Sequence, residues 1–473
     1  MLISVAICAV NIIQLFCKWT STPFVNVIDS LPTPIWAIPF PTVVVCPHLH
    51  VKKSYVNVSA LNGSEKFFAS LVCPRLKGAG LALKDRLKQD EIIELQEFIL
   101  QGSLQCSDVV KTCNWPAKHD NLWGGTRDCC EMFQPVFTNY GLCFAFNSLP
   151  LNGMTNETLP WQQWLSPNLA PAGLQWGLDV GYPKVFPPDL VMQPLRVMVA
   201  GEVNGLSLEL YLNSSEHQFS CEGNSLGFTI LISAPTDHLY TSTVMRIPMN
   251  RMTTVEVSPI TYKTDPTLRS LAPYKRQCFF QSERRLEYYN FYTDTNCQHD
   301  LLIREAKEMC DCVLYNWPRK NIWDQICSTD RDFQCINEVN AKVEEQLIYA
   351  YYEDSEEQGK AGEGTKSCHP SCNDIIYSSQ VFYSDLIREH GDGSPSWGNP
   401  RHGEVTIVNV HFYEDLFLGQ HRHAQYDDYY FAGAIGGLLS LFLGFSIISV
   451  AELVYFVFLR PFYIILKEIR RQH

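Results

Sequence analysis

Between Tyr429 and Leu459 the chain is apolar, and almost everything polar in it is a small oxygen carrier. The stretch has one formal charge, Glu452, and a series of small residues: Gly433, Gly436, Gly437, Ser440, Gly444, Ser446 and Ser449. Glycine exposes its backbone carbonyl and tolerates non-helical dihedrals. Serine adds a hydroxyl that accepts as well as donates. Gly444 and Ser446 therefore offer oxygen ligands, which suit hard cations. A narrow ring of such oxygens replaces part of an ion's water shell. Phe445 lies between them and, being bulky, is expected to face away from the ion. The plainer alternative uses the same residues for packing. Gly433/Gly437, Gly436/Ser440 and Ser440/Gly444 are small pairs four apart, which let helices approach closely in lipid. A single anchor with a dimerising face would then suffice. Glu452 must pair, hydrate or neutralise inside a membrane. It either draws cations through an inner vestibule or holds a neighbouring helix.

The element that carries these residues is a helix, and it is long. A bilayer core needs about 20 residues, so the 31 from Tyr429 to Leu459 imply tilt, a break or an overrun. A second apolar run, Leu2–Cys17, is short and interrupted by Asn11 and Gln14. It lacks a basic leader and a small-x-small cleavage site, so it reads as a first membrane helix cut short at its amino-terminal end rather than a signal peptide. Lys18 and Trp19 mark its outer interface. Arg460, Lys467, Arg470 and Arg471 follow the long helix, and Asp427 and Asp428 precede it. Basic flanks stay in the cytosol, so the carboxyl terminus is expected inside, and with two spans the amino terminus too. The expected division is a first span at 1–19, an extracellular region at 20–428, a pore-lining span at 429–460 and a cytoplasmic tail at 461–473.

Cysteine sets the compartment. Of 18 cysteines in 473 residues, 16 fall between Cys46 and Cys372, an even number. No Cys-x2-Cys pair is followed by a second such pair or a His pair, so zinc is disfavoured and an oxidised ectodomain is the better reading. The sequons at Asn57, Asn62, Asn156 and Asn213 agree with it. A net charge of −13 lacks the basic footprint of nucleic-acid binding. No Gly-x-Ser-x-Gly, P-loop or His-Glu-x-x-His is present, so no enzyme and no cofactor are expected. His411, His421 and His423 sit near the end of this region. His421-x-His423 has metal-ligand spacing on a strand, but surface histidines are far commoner and no metal is assigned.

The rest of the chain supplies scaffold. Val43–Val45 is a β-branched run entered from a proline bend. Lys84–Leu100 reads as a helix with Leu87, Ile92, Leu95 and Ile99 on one face. Residues 148–190 read as irregular loop. Leu195–Leu212 and Gly227–Ile232 alternate as strands, and Ser225–Val257 carries several short β segments. Leu301–Met309 and Asn337–Tyr352 read as helices. Glu353–Lys366 is acidic and Gly-rich, so a mobile loop is expected. Val405–Phe412 is expected as the last strand. Tyr288, Tyr289, Tyr292 and Trp317 form either gating contacts or a plain hydrophobic core.

The wording of four stretches is family-like. They are Gly436–Ser449 with Glu452 and Tyr455; Phe40-Pro41-Thr42-Val43-Val44-Val45-Cys46; Gly141-Leu142-Cys143-Phe144-Ala145-Phe146-Asn147; and Arg269-Ser270-Leu271-Ala272-Pro273 leading to Arg276-Gln277-Cys278-Phe279. Together they resemble the degenerin/epithelial sodium channel family, nearest in style to its arthropod pickpocket branch. The resemblance implies two membrane helices and a large disulfide-rich α+β ectodomain shaped like a hand, with a β palm and β-ball and a helical finger, knuckle and thumb, the thumb at about 278–372. It implies a sodium-permeable, amiloride-sensitive channel in the plasma membrane, gated by ectodomain movement and assembled as a homo- or heterotrimer in lipid, with sodium as the permeant ion. Gly444-Phe445-Ser446 matches the family's selectivity filter. Gly433, Gly437, Ser440, Ser449 and Glu452 become pore and gating residues. Gly433 aligns with the position where a large side chain tends to hold the pore open. Ala434 stands where acid-sensing relatives are commonly acidic.

The implied bridges are Cys46–Cys143, Cys278–Cys372, Cys297–Cys368, Cys310–Cys335 and Cys312–Cys327. Cys73, Cys106, Cys113, Cys129, Cys130 and Cys221 are unassigned, and six cysteines allow 15 pairings. Leu301 and Lys366 replace two family cysteines that bond each other, which leaves no odd thiol. The family's cytoplasmic His-Gly pair before the first helix is not in this sequence. That gives weight to a second reading, a non-conducting modulatory subunit or ligand-binding receptor that depends on a family partner. The gating stimulus, any extracellular ligand and the choice between homomer and heteromer stay open.

Overall fold

The computed structural model describes residues 2–21, 24–76, 83, 85–116, 129–155, 176–183, 193–239, 243–321, 324–352, 368–389, 395–397, 404–425, 428–444 and 446–464. Contacts divide the chain into two units. The smaller comprises Met1–Ile28, Thr264–Arg276 and Gln420–His473; the larger comprises Asp29–Lys263 and Gln277–Gly419. Asn156 and the loop Glu353–Lys366 lie outside the described residues, as does most of 148–190.

The larger unit is built on two sheets. In the first, the strands run Phe133–Thr138, Gly141–Phe146, Thr42–Pro47, Gly227–Ser233 and Thr243–Pro248, each antiparallel to the next. The β-branched Val43–Val45 run sits in its middle strand, and all six residues of that strand are buried. The second sheet places Val110–Asn114, Leu206–Leu212, Glu404–Phe412, Arg251–Thr264 and Asp374–Asp385 side by side. The pair formed by Arg251–Thr264 and Glu404–Phe412 is parallel. A parallel pair needs a long crossover, and a helical lobe lies in that crossover. Leu206, Leu208, Leu210 and Leu212 are buried while their neighbours are half-buried, the period-two pattern of a strand with one face on the core. Phe40 is fully buried between the sheets, edge-on to Trp115 at 4.9 Å and to Phe412 at 5.5 Å.

Two helical lobes complete this unit. One pairs Gly63–Val72 with Gln89–Gly102 over Phe67, Phe68, Leu95 and Phe98. Leu87, Ile92, Leu95 and Ile99 are all buried. The other pairs Asp294–Cys310 with Asp330–Tyr352. Both helices start well before their expected first residues, Leu301 and Asn337. Thr293 caps the first by accepting from the Asn296 amide. Asn296, His299 and Asp300 then occupy buried positions in its early turns, so polar residues fill core positions where apolar periodicity was sought. Tyr288, Tyr289, Tyr292 and Trp317 are each at most 3 % exposed. Three of them, Tyr288, Tyr289 and Trp317, belong to the core under these helices.

Two strand expectations need correction. Leu195–Leu212 is a strand only from Leu206 to Leu212. Gly201 has φ +97°, and a tight turn at Glu202–Asn204 breaks the run. Val405–Phe412 falls within Glu404–Phe412 but is not the last strand: Leu416–Phe417 and Gln420–Ala424 follow.

Eight disulfides bind the larger unit: Cys46–Cys143, Cys73–Cys221, Cys106–Cys130, Cys113–Cys129, Cys278–Cys372, Cys297–Cys368, Cys310–Cys335 and Cys312–Cys327. The six cysteines that the sequence left open thus pair as 73–221, 106–130 and 113–129. Four bridges fall on the second lobe and its base. Cys8 and Cys17 are free thiols. Closing loops of this length restricts the unfolded chain and stabilises the fold by about 2–4 kcal/mol per bridge in the chain-entropy picture.

The smaller unit holds the apolar helices. Leu2–Ser21 forms one of 20 residues, longer than the expected 1–19 span at its carboxyl end. Phe24–Ile28 pairs antiparallel with Gln420–Ala424. Arg422 fastens this pair: its guanidinium donates to Asn26 Oδ1 and to the Arg276 carbonyl, both at 3.1 Å, and covers the Phe24 ring. Arg276 is itself fully buried. Its guanidinium donates to the carbonyls of Leu268, Arg269 and Leu271, so a charged side chain organises the turn Pro266–Ser270 from inside.

Candidate ion-conduction site

The second apolar stretch folds as two helices. The first is Asp428–Leu443 and the second Ile447–Val454, followed by a wider π turn at Tyr455–Leu459. Helical backbone then continues to residue 464. The interruption falls on Gly444–Ser446. Gly444 adopts φ +64°, the left-handed conformation that ends helices and that glycine alone enters freely. Its amide still donates to the Ser440 carbonyl at 3.0 Å. Ser446 is extended, at φ −120° and ψ 168°, and caps the next helix. The Ser446 hydroxyl accepts from the Ser449 amide at 3.3 Å, and the Ser449 hydroxyl accepts from the Ser446 amide at 3.4 Å. Phe445 lies outside the described residues, so its expected outward direction has no structural counterpart.

This break has an electrostatic consequence. The last carbonyls of a helix lack intrahelical partners, and that end carries roughly half a negative elementary charge. Asp428–Leu443 therefore directs its carbonyl end at Gly444. The serine cap occupies one of the orphan amides that open Ile447–Val454.

Packing divides the faces of the upper helix. Phe431, Ala434, Ile435, Leu438, Leu439 and Phe442 are partly covered. Leu2–Ser21 packs along this helix and covers it from one side: Trp19 stacks on Phe431 at 4.5 Å, and Cys8 Sγ lies 3.8 Å from the Leu438 carbonyl. Residue numbers rise along one helix as they fall along the other, so the two are antiparallel. On the first helix the covered positions are Ser4, Cys8, Asn11, Ile12, Leu15 and Trp19, a single helical stripe. The small residues stand apart from this contact. Gly433, Gly436, Gly437, Ser440 and Gly444 are exposed in the single chain. A methyl group added at Gly433, Gly436, Gly437 or Gly444 would meet nothing within 4 Å. Ser449 is half-buried and Glu452 exposed.

The remaining candidates are scattered. His421 and His423 lie on the strand Gln420–Ala424 with ring centroids 5.9 Å apart. Among the described residues, no group of three His, Cys, Asp or Glu side chains is arranged to hold a metal. Asn57, Asn62 and Asn213 are exposed. Asn57 and Asn213 each accept from the amide two residues on, so both sequons open on tight turns at the surface. Sequence reasoning missed Arg422 and the Ser446–Ser449 exchange. The second had a signal, since Ser-x-x-Ser after a glycine is a helix-start pattern.

Two apolar helical stretches, the second broken at Gly-x-Ser, on a chain with an eight-disulfide α+β unit fit a membrane protein with a disulfide-rich domain; among the described helices Ile3–Ser21 alone is long and apolar enough to cross a bilayer. Residues 1–456 match the family model described as amiloride-sensitive sodium channel, and the chain belongs to that family. It is a family of ion channels, not enzymes. Pickpocket protein 28 of Drosophila melanogaster is 23% identical over 478 residues, covering 97% of this chain and 73% of that protein. Sodium channel protein Nach of the same species is 24% identical over 513 residues, covering 100% and 84%. Degenerin-like protein del-10 of Caenorhabditis elegans is 22% identical over 365 residues, covering 72% and 27%. These relatives support the pickpocket-like branch of the degenerin/epithelial sodium channel family.

Proposed function

We propose that this chain is one subunit of a sodium-permeable, amiloride-sensitive channel whose pore is lined by the small-residue face of Asp428–Leu443. The observation that carries the reading is the helix break at Gly444–Ser446, at the end of a face that the chain's own first helix leaves uncovered. Several such faces, three in the family's usual assembly, would enclose a path. Gly444 and the last carbonyls of the upper helix would meet the cation with partial negative charge, and the Ser446 hydroxyl would add an oxygen. Glu452, two turns deeper, would enrich cations on the inner side. Gly433, by its alignment with the family, would lie at the outer end of the path, where a large side chain tends to hold the pore open. The hand-like ectodomain, with finger and thumb corresponding to the two helical lobes, would transmit a stimulus to the second span. Both termini would lie in the cytosol at the plasma membrane, with residues 20–428 outside.

Expression alone and together with a pickpocket relative tests the reading by recording amiloride-sensitive sodium current. Current from the chain alone supports a self-sufficient channel. Current only in co-expression makes it a heteromeric subunit. Surface delivery with no current in either case overturns conduction and favours a receptor.

A further inference from the structure

Two of the eight disulfides differ from the rest in how they are covered. Cys106–Cys130 and Cys113–Cys129 close nested loops, with their cysteines 24 and 16 positions apart. Cys129 and Cys130 are consecutive, so both bridges end on one tight turn, Cys129–Met132. All four cysteines are half-buried. Each of the other six bridges has at least one cysteine that is at most 5 % exposed. The second helical lobe supplies a matched pair. Cys310–Cys335 and Cys312–Cys327 are also nested, at separations of 25 and 15, but Cys310, Cys312 and Cys327 lie in the core of that lobe. Loop length is therefore nearly the same at the two places, and burial is what differs. A thiolate must reach a disulfide sulfur to open it, and exposed bridges are the labile ones.

We propose that Cys106, Cys113, Cys129 and Cys130 form one thiol-reactive site, at which a small thiol from solution reversibly opens both bridges and frees the sheet edges they join. In each bridge the reagent thiolate attacks one sulfur and releases the other as a thiolate, leaving a mixed disulfide. A second reagent thiolate attacks that mixed disulfide and releases the second cysteine with the oxidised reagent. One bridge thus takes two electrons and two protons from two thiols, and the reagent's own disulfide drives the steps backward. The two bridges tie the edge strand Val110–Asn114 of the second sheet to the turn that enters Phe133–Thr138, an edge strand of the first. Val109, Val110 and Phe133 are buried in the core, and Val110–Asn114 pairs with Leu206–Leu212. None of these contacts needs the sulfurs, so opening the bridges loosens the edges without unfolding the sheets. Local opening of this kind belongs to the least protected parts of a fold.

The test uses the full-length chain in nanodiscs, graded 2-mercaptoethanol, and N-ethylmaleimide labelling read cysteine by cysteine in a mass spectrometer. Cys106, Cys113, Cys129 and Cys130 should become labelled at a thiol concentration at least about tenfold below that needed for Cys310, Cys312, Cys327 and Cys335. Adding 2-hydroxyethyl disulfide should restore both pairs. In the partly reduced chain, hydrogen exchange should rise at Val110–Asn114 and Phe133–Thr138 and stay unchanged at Asp294–Cys310. Replacing all four cysteines of the site with alanine should make exchange at the two edges indifferent to the thiol. The ranking of cysteines on the wild-type chain decides the matter even where that variant fails to fold. Labelling of the second-lobe cysteines at the same or a lower thiol concentration overturns the proposal. So does labelling of the four that rises only as near-ultraviolet circular dichroism is lost, or unchanged exchange at both edges after reduction. The readouts are labelling and exchange rather than current, so their failure leaves the conduction reading untouched.

Discussion

Ser446 and Ser449 cap one another. Each hydroxyl accepts from the other's amide, at 3.3 and 3.4 Å, and the lower helix begins there. The exchange ties the Ser446 oxygen to backbone geometry. It gives the Gly444–Ser446 break a defined lower edge instead of a frayed one.

Substitution at these serines should separate structure from ion choice. Ser449→Ala removes half of the exchange and should cost about 1 kcal/mol of helix start. Current should fall modestly while sodium-over-potassium preference is kept. Ser446→Ala removes the same cap and also the oxygen proposed to face the ion, so its reversal potential under bi-ionic conditions should shift toward non-selectivity. Indistinguishable reversal potentials for wild type and Ser446→Ala would remove Ser446 from the filter.

Arg276 should matter for folding more than for conduction. Its guanidinium serves three carbonyls from a fully buried position. Arg276→Met leaves those carbonyls unpaired and should destabilise the smaller unit by about 3 kcal/mol. Surface delivery should drop sharply, and channels that do arrive should keep their ion preference. Full surface levels of Arg276→Met would contradict the clamp.

Through Asp374, acid should stabilise the larger unit. Burial, with a smaller contribution from Asp294, raises Asp374 to about 6, and burial is also the main cause raising Asp294 and Asp237. A carboxyl raised on folding binds its proton more tightly in the native state, so the native state holds more protons between the unfolded value near 4 and the folded value. The contribution of Asp374 to stability therefore falls as pH rises through that window. Buried His48 and His238, each held at about 4, run the other way, so the measurement is the difference in thermal midpoint between wild type and Asp374→Asn. The variant should gain midpoint over wild type at pH 7, and the gain should shrink toward pH 4.5. A gain that grows as pH falls would reverse the sign.

Glycosylation tests which side the larger unit faces. Asn57, Asn62 and Asn213 are exposed, so an extracellular unit should carry glycosidase-sensitive mass. Replacing all three with Gln should abolish most of it, leaving at most the share of Asn156. A wild-type chain insensitive to glycosidase would argue against export of residues 20–428.

The break at Gly444–Ser446 is one of three outcomes that the excess length of Tyr429–Leu459 left open, beside tilt and overrun, and glycine's freedom to leave helical dihedrals marked where it could fall. The Val43–Val45 strand and the face of Gln89–Gly102 were legible because periodicity and burial coincide there. Gln420–Ala424 was not, since Gln-His-Arg-His-Ala has no apolar alternation and every residue is half-buried. The early turns of Asp294–Cys310 were hidden by buried Asn296, His299 and Asp300. The pairs 73–221, 106–130 and 113–129 depend on proximity in space, which cysteine counting does not supply.

The most direct test of the pore-facing surface is cysteine accessibility on the upper helix, on a background with Cys8 and Cys17 replaced by alanine. Ser440→Cys lies on the uncovered small-residue face; Leu438→Cys lies on the side that meets the first helix. A water-borne, charged thiol reagent applied during recording should block current irreversibly in Ser440→Cys and leave Leu438→Cys unchanged. Block at Leu438→Cys with Ser440→Cys untouched would turn the helix around and contradict a path lined by its glycines and serines.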